Sequence, residues 1–253
     1  MRALSWLLVP IRAIGVLFAT TLLWLVYLLG LLVRRDPVRR SRWRSRMTRR
    51  WARSLLPILG VVVRTEGPLP TGNLLVCNHL GYLDIVVLAS QVPTIFVSKA
   101  EVASWPLMGI VARTSGTIFV KREEKRQLVE TGERIEEELR RGSTVVLFPE
   151  GTSSGGEQVL PFRPSLLEPA ARGGLPVAHA SLRYISPEGF PPASESICWW
   201  RDMPFGSHVL SLLRLPRIRA EVRFGPELLR GRDRKELAHR LWEATKAQFE
   251  PSA

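Results

Sequence analysis

Apolar residues follow two distinct rhythms along this chain. Residues 13–33, AIGVLFATTLLWLVYLLGLLV, run 21 positions without a charge. At 1.5 Å per residue, a helix of that length covers the roughly 30 Å hydrocarbon core of a bilayer. No small-x-small cleavage site follows, and the next residues are Arg34 and Arg35, so the pattern predicts a retained membrane anchor. Pro10 and Arg12 just before the run leave open whether it crosses fully or dips in and returns.

After Pro57 short β-branched runs alternate with longer helical patterns. Strands are predicted at 61–65, 74–77, 94–98, 117–121, 144–148, 176–181 and 218–224. Helices are predicted at 84–90, 105–113, 124–141, 165–172 and 234–249. The 124–141 pattern is the clearest, with Leu128, Ile135 and Leu139 at helical spacing and Gly142 as the stop. Strands alternating with helices imply an α/β fold: a mostly parallel sheet covered by helices on both faces. In such sheets chemistry gathers at the carboxyl ends of strands.

Composition changes this picture at one place. The chain has 253 residues, 45% of them apolar, enough for one sizeable domain with an appendage. Its net charge of +13 is concentrated in residues 34–53, RRDPVRRSRWRSRMTRRWAR, which hold ten Arg and one Asp. By the positive-inside bias this segment belongs on the cytoplasmic side. Trp43, Met47 and Trp51 fall on one helical face, the pattern of a basic amphipathic segment with its aromatic side in lipid headgroups and its Arg side on anionic lipid. Directly after a membrane anchor, lipid phosphate is the nearest polyanion, so no nucleic-acid partner is expected. The organisation predicted is a membrane anchor (1–33), an Arg-rich membrane-surface segment (34–57) and a domain of 58–253. Cys77 and Cys198 lack the partners for a disulfide framework or a zinc site.

Three strand ends carry candidate chemistry. The strand at 74–77 ends in Asn78-His79, and Asp84 follows five residues later. On one continuous helix such residues point to different faces. They meet only if His79 lies in a loop and Asp84 in the first helical turn, with Gly81 allowing the bend. A carboxylate on one imidazole nitrogen then raises the basicity of the other, as a general base requires. The alternative is a helix-start acid beside an ordinary loop histidine. The second strand end, GTIFVKR, closes with Lys121 and Arg122, which fit either a phosphate clamp or solvated ion pairs. The third, FPEGT, presents Glu150, Gly151 and Thr152 after a strand-ending proline. Residues 151–155 also match G-x-S-x-G, the hydrolase nucleophile elbow around Ser153. That elbow needs a helix directly after the serine, and the following Gly155, Gly156, Pro161 and Pro164 oppose one.

Taken together and in this order, the three stretches resemble the glycerolipid acyltransferases of phospholipid synthesis, the family of bacterial 1-acylglycerol-3-phosphate acyltransferases. NHLGYLD matches the family's N-H-x4-D motif, GTIFVKR its G-x-I-F-[IV]-x-R motif and FPEGT its F-P-E-G-T motif. The resemblance covers about 61–225. In LPVAHASL, His179 stands where the family usually has proline, and it reads as structural. VLPFRPSLLEPA looks closer to a bacterial subgroup that includes acyltransferases of lyso-ornithine lipid.

The resemblance implies that His79 deprotonates the free hydroxyl of a lysolipid, which attacks an acyl-CoA or acyl-ACP thioester, while Asp84 orients the histidine. Arg122, helped by Lys121, would hold an anionic acceptor head. Glu150, Gly151 and Thr152 would shape the acceptor site, Gly151 lending backbone donors, and Asn78 would position the loop. No metal or bound cofactor is called for; the thioester is a co-substrate. The acceptor implied is 1-acylglycerol-3-phosphate, giving phosphatidic acid, with lyso-ornithine lipid or another lysophospholipid as the alternative. The expected location is the cytoplasmic (inner) membrane, with the catalytic domain facing the cytoplasm. A membrane esterase using Ser153 and a non-catalytic membrane-surface binding protein are the readings from other classes.

Overall fold

The computed structural model describes residues 4–105, 108–120 and 125–253. In chain order the elements are α1 (Leu8–Leu32), α2 (Pro37–Leu59), β1 (Val61–Glu66), β2 (Leu74–Cys77), α3 (Leu83–Gln91), β3 (Thr94–Lys99), α4 (Met108–Thr114), β4 (Ile118–Val120), α5 (Lys125–Arg140), β5 (Thr144–Leu147), α6 (Glu168–Gly173), β6 (Val177–Ile185), α7 (Ala193–Ser196), α8 (Phe205–Arg214), β7 (Ile218–Phe224) and α9 (Arg234–Ala247).

The strands form one seven-stranded sheet in the order β1-β7-β6-β2-β5-β3-β4. Five of them, β6 through β4, are mutually parallel; β7 runs antiparallel to β6, and β1 is parallel to β7. The sheet is therefore mostly parallel with one reversed margin. Successive residues of a strand point to opposite faces, and here both faces are buried. Leu75 and Cys77 of β2 and Val146 of β5 join a core with α2, α3 and α8. Leu74 and Val76, with Val145 and Leu147, join a second core with α5, α6 and α9. Burial on both sides explains why these strands read as unbroken apolar runs.

Two features differ from the sequence pattern. The apolar helix α1 does not stand alone: it packs antiparallel along α2. Ile58 of α2 lies against Gly15, the Trp51 indole N–H donates to the Thr20 hydroxyl at 3.0 Å, and the Trp43 indole N–H donates to the Tyr27 carbonyl at 3.2 Å. The face of Trp43, Met47 and Trp51, expected in headgroups, is thus turned onto α1. The reason is physical: a helix with ten nearby arginines has one apolar-aromatic face, and α1 offers a dry partner for it. Arg12 also lies inside α1, not before it. Its buried guanidinium donates to the carbonyls of Leu213 (3.1 Å) and Pro216 (3.1 Å), and also to that of Leu215, at the end of α8. These carbonyls have no partners within the helix, and a fork of N–H donors satisfies them. Gly60, with φ +71°, closes α2 beside this fork; a Cβ there would meet an Arg12 nitrogen at 2.3 Å.

Other arginines of the basic segment dock α2 as well. Arg49 and Arg53 donate to the Ser90 carbonyl in the last turn of α3, and Arg44 pairs with Glu138 of α5 at 2.7 Å. The side of α2 facing away carries exposed Arg39, Arg42, Arg46 and Arg50, three or four residues apart and so on one face.

Arg12→Ala removes the guanidinium while leaving the α8 carbonyls in place. It is expected to lower the unfolding free energy by about 2–3 kcal/mol, as for other hydrogen bonds to charged groups. Thermal unfolding in detergent, followed by tryptophan fluorescence, checks this; an unaltered transition would rule out the anchoring role.

Candidate active site

Cys77 ends β2 with its side chain on the core shared with α2 and α3, and the chain then turns into a loop. Asn78 fixes that turn. Its fully buried amide donates to the Leu182 carbonyl (2.9 Å) and accepts from the Leu182 N–H (2.8 Å). This extends the β2–β6 ladder, which has Cys77 opposite Ala180. Asn78 is not part of a cavity wall.

His79 follows in the loop, and Asp84 lies in the first turn of α3, the placement their spacing demands. The His79 Nδ1–H donates to Asp84 Oδ2 at 2.7 Å. The same oxygen accepts from the backbone N–H groups of Leu80 (2.7 Å) and Gly81 (3.0 Å). The other oxygen accepts from the Tyr184 hydroxyl at 2.8 Å. Asp84 is wholly buried, whereas the His79 side chain is 24% exposed. With Nδ1–H committed to the carboxylate, Nε2 carries the lone pair and has no partner among the described residues. The imidazole stacks on Phe148 at 4.2 Å and 19°, which fixes its plane. Gly81, at φ +154°, lets the loop double back; a Cβ there would lie 2.9 Å from the Trp199 nitrogen.

Tyr184 is the residue that the sequence reading missed. The strand predicted at 176–181 continues to Ile185. Ala178, Ala180 and Leu182 share the α2–α3 core, and Tyr184 continues their alternation, a signal present in the sequence. Burial, and then the neighbouring Asp84 charge, raises the Tyr184 hydroxyl pKa well above its ordinary value, so it stays a donor.

FPEGT grips the same histidine through its backbone. Glu150 is buried, and its carboxylate accepts from the His79 N–H (3.0 Å) and the Leu160 N–H (2.8 Å). The His79 carbonyl in turn accepts from the Ser154 N–H at 2.9 Å. Burial pushes the Glu150 pKa up to about 8, against the lowering effect of those two N–H groups. Glu150 therefore faces the catalytic loop and not the open site. The Gly151 N–H bonds to the Phe148 carbonyl at 3.2 Å within a left-handed turn (φ +76°), so the backbone donor expected of it is occupied. No helix follows Ser153; the next helical turn is Pro164–Leu167, so the nucleophile elbow is not formed. Lys121 and Arg122 lie outside the described residues. His179 is buried on the other face of β6, packed against Gly225, where a Cβ would come within 2.0 Å of its ring. Burial lowers its pKa.

His79 opens into a cavity of about 620 Å³. Leu23 and Trp24 of α1, Met47 and Trp51 of α2, Phe96 of β3 and Phe148 just after β5 line it, together with Gly151, Thr152 and Ser153. A mostly apolar chamber of this size with His79 in its wall suits a long hydrocarbon chain whose reactive end stops at Nε2. Among the described residues no group of three His, Cys, Asp or Glu is placed to hold a metal ion.

Comparison with known proteins follows this geometry. Residues 60–182 match the family model described as Acyltransferase. The lyso-ornithine lipid O-acyltransferase of Rhodobacter capsulatus is 37% identical over 192 residues, which cover 74% of this chain and 68% of that protein. The enzyme of the same name from Pseudomonas aeruginosa is 34% identical over 205 residues (80% and 78%). The 1-acyl-sn-glycerol-3-phosphate acyltransferase of Neisseria meningitidis is 29% identical over 214 residues (81% of each). The crystal structure of the 1-acyl-sn-glycerophosphate (LPA) acyltransferase PlsC from Thermotoga maritima superposes with a TM-score of 0.65, covering 98% of this chain and 97% of that one. At 18% identity this is a likeness of fold.

Two outcomes test the site. Tyr184→Phe deletes one of four bonds to Asp84 and is expected to lower kcat about tenfold, equivalent to ~1.4 kcal/mol, with little change in KM; steady-state kinetics decide it. For Glu150 the folded pKa of about 8 lies above its ordinary 4.5. The folded protein therefore holds a proton that the unfolded chain has released, and this group's contribution to stability declines as pH rises through that window. Glu150→Gln should flatten the decline between pH 5 and pH 8 in chemical denaturation (the window is about that wide). An unaltered slope would show that Glu150 does not titrate there.

Proposed function

Since the chain belongs to the lysolipid acyltransferase family, we propose that it transfers an acyl chain from acyl-CoA or acyl-ACP to the free hydroxyl of lyso-ornithine lipid. The observation that carries the chemistry is the His79–Asp84 pair, whose one unpartnered nitrogen opens on an apolar chamber. The acceptor hydroxyl hydrogen-bonds to His79 Nε2, which takes its proton as the oxygen attacks the thioester carbonyl. The new C–O bond forms, the C–S bond breaks, and the leaving thiolate takes the proton from Nε2, which restores the neutral imidazole. Asp84, fixed by its three other donors, stabilises the imidazolium in between. The thioester is already activated, so no acyl-enzyme is required. The apolar cavity takes the acyl chain.

Two relatives more than 30% identical act on lyso-ornithine lipid by name, which favours that acceptor. The second reading is 1-acylglycerol-3-phosphate, giving phosphatidic acid. The GTIFVKR motif and the Neisseria relative favour it, with Arg122 and Lys121 on the phosphate.

The chain is membrane-associated. Its α1 exposes Ile11, Ile14, Phe18, Leu22, Leu25 and Leu29 on the side away from α2, a stripe at helical spacing. Arg12 holds the start of α1 to the catalytic domain, so in our reading α1 lies in one leaflet with this stripe outward while α2 stays with the domain. The exposed arginines of α2 meet anionic headgroups at the cytoplasmic surface of the cytoplasmic membrane. The active site then lies beneath the hairpin, where a lysolipid arrives laterally.

The test is a labelled acyl thioester offered with a panel of lysolipids. His79→Ala is expected to lower acyl transfer by about 10²–10⁴-fold, while Ser153→Ala retains most of it. Full activity in His79→Ala would overturn the mechanism. Loss in Ser153→Ala alone would favour an esterase, and no turnover with any acceptor would favour a binding protein.

A further inference from the structure

One residue of the described chain other than glycine has a positive φ: Arg201, at +54°. A side chain bearing Cβ adopts this conformation reluctantly. The surrounding turn enforces it. The Trp199 N–H donates to the Leu80 carbonyl at 2.8 Å, and its indole N–H donates to the Met203 carbonyl at 2.8 Å. The Trp200 indole N–H donates to the Ser194 carbonyl at 2.8 Å, and its ring covers Gly155, where a Cβ would lie 2.8 Å away. The turn is thus fastened to both loops that hold the catalytic histidine, one through Leu80 and one through Gly155.

What this rigid turn displays is a pair of opposite charges. Arg201 and Asp202 both line the cavity that contains His79, as do Arg44 and Lys99; Asp202 is the one acid among these four. Arg201 and Asp202 are exposed, and neither has an ion-pair partner among the described residues. The Arg201 guanidinium lies 3.8 Å above the Trp200 ring, which holds it in place without neutralising it. A phosphate monoester carries only negative charge, and Asp202 would repel it. A headgroup with both an ammonium and a carboxylate satisfies both side chains.

We propose that the Trp199–Met203 turn reads the acceptor headgroup, Arg201 binding a carboxylate and Asp202 an ammonium, and so selects a zwitterionic lysolipid. This rests on the acyltransferase reading above and adds the residues that set its acceptor.

The experiment uses the full chain in neutral mixed micelles with one acyl thioester and two acceptors, lyso-ornithine lipid and 1-acylglycerol-3-phosphate. Each variant is first shown to melt with the wild type. Asp202→Asn is expected to shift the ratio of kcat/KM between the acceptors toward the phosphate by about fivefold, as for loss of one exposed charge pair, chiefly through KM. Asp202→Glu should restore much of the preference. Arg201→Gln should raise KM for the zwitterionic acceptor. If the wild type acylates either lipid but Asp202→Asn leaves the ratio unaltered, the headgroup role is overturned and the acyltransferase reading stands. If the wild type acylates neither, the acceptor assignment fails before any variant is compared.

Discussion

A buried carboxylate organises this protein. Asp84 is fully enclosed in the core between the sheet and its helices, where an unpaired charge would be strongly destabilising. Four donors surround it: two backbone N–H groups, an imidazole and a phenol. To supply them the loop after β2 must fold back on the start of α3, and β6 must run long enough to bring Tyr184 across. The C-terminal residues then secure that strand. Ser252 accepts from the Tyr184 N–H at 3.1 Å and donates its own N–H to the Gly156 carbonyl at 2.8 Å. One acid thereby sets the register of β2, α3 and β6 around a single imidazole. Asn78 and Glu150 work in the same way at one remove, since each uses a buried side chain to hold backbone rather than substrate.

Satisfaction of polar groups also decides how the apolar amino-terminal helix is used. Leucines and valines fill most of it, yet Arg12 ties its start to the domain, because its guanidinium completes the hydrogen bonding at the end of α8. The hairpin that results turns the aromatic face of α2 inward and leaves an apolar stripe on α1 outward. Its other consequence is the cavity, which Leu23 and Trp24 of α1 and Met47 and Trp51 of α2 line together with His79.

The inner strands β2 and β5 were legible because both their faces are buried and their runs are apolar throughout, and β7 because its apolar positions alternate. The five-residue spacing likewise required His79 and Asp84 to straddle a loop–helix junction. Long-range pairing was not legible. Nothing local in the sequence marks β7 as reversed, and α8 was missed because its apolar positions serve α1 and the sheet together. Tyr184 went unseen because the predicted strand stopped at Ser181, although the alternation continued past it. The roles of Asn78 and Glu150 depend on Leu182 and Leu160, partners 104 and 10 residues away. Motif letters identify such residues without saying which way they face.

The division between motif and turn has a functional sense. In the mechanism proposed, the NHLGYLD and FPEGT residues serve hydroxyl activation: they place an imidazole, its acid and the backbone around it, and that chemistry is the same for any lysolipid. Acceptors differ instead at the headgroup, some distance from the reacting hydroxyl, so the groups that distinguish them belong elsewhere in the cavity wall. The Trp199–Met203 turn lies outside the three motifs yet is bonded to the loop of the first through Leu80 and packed on Gly155 after the third. Under the proposal above, a change of charge there would alter which headgroup is tolerated while leaving the Asp84 network intact. Relatives with different acceptors can therefore share the same strand-end letters.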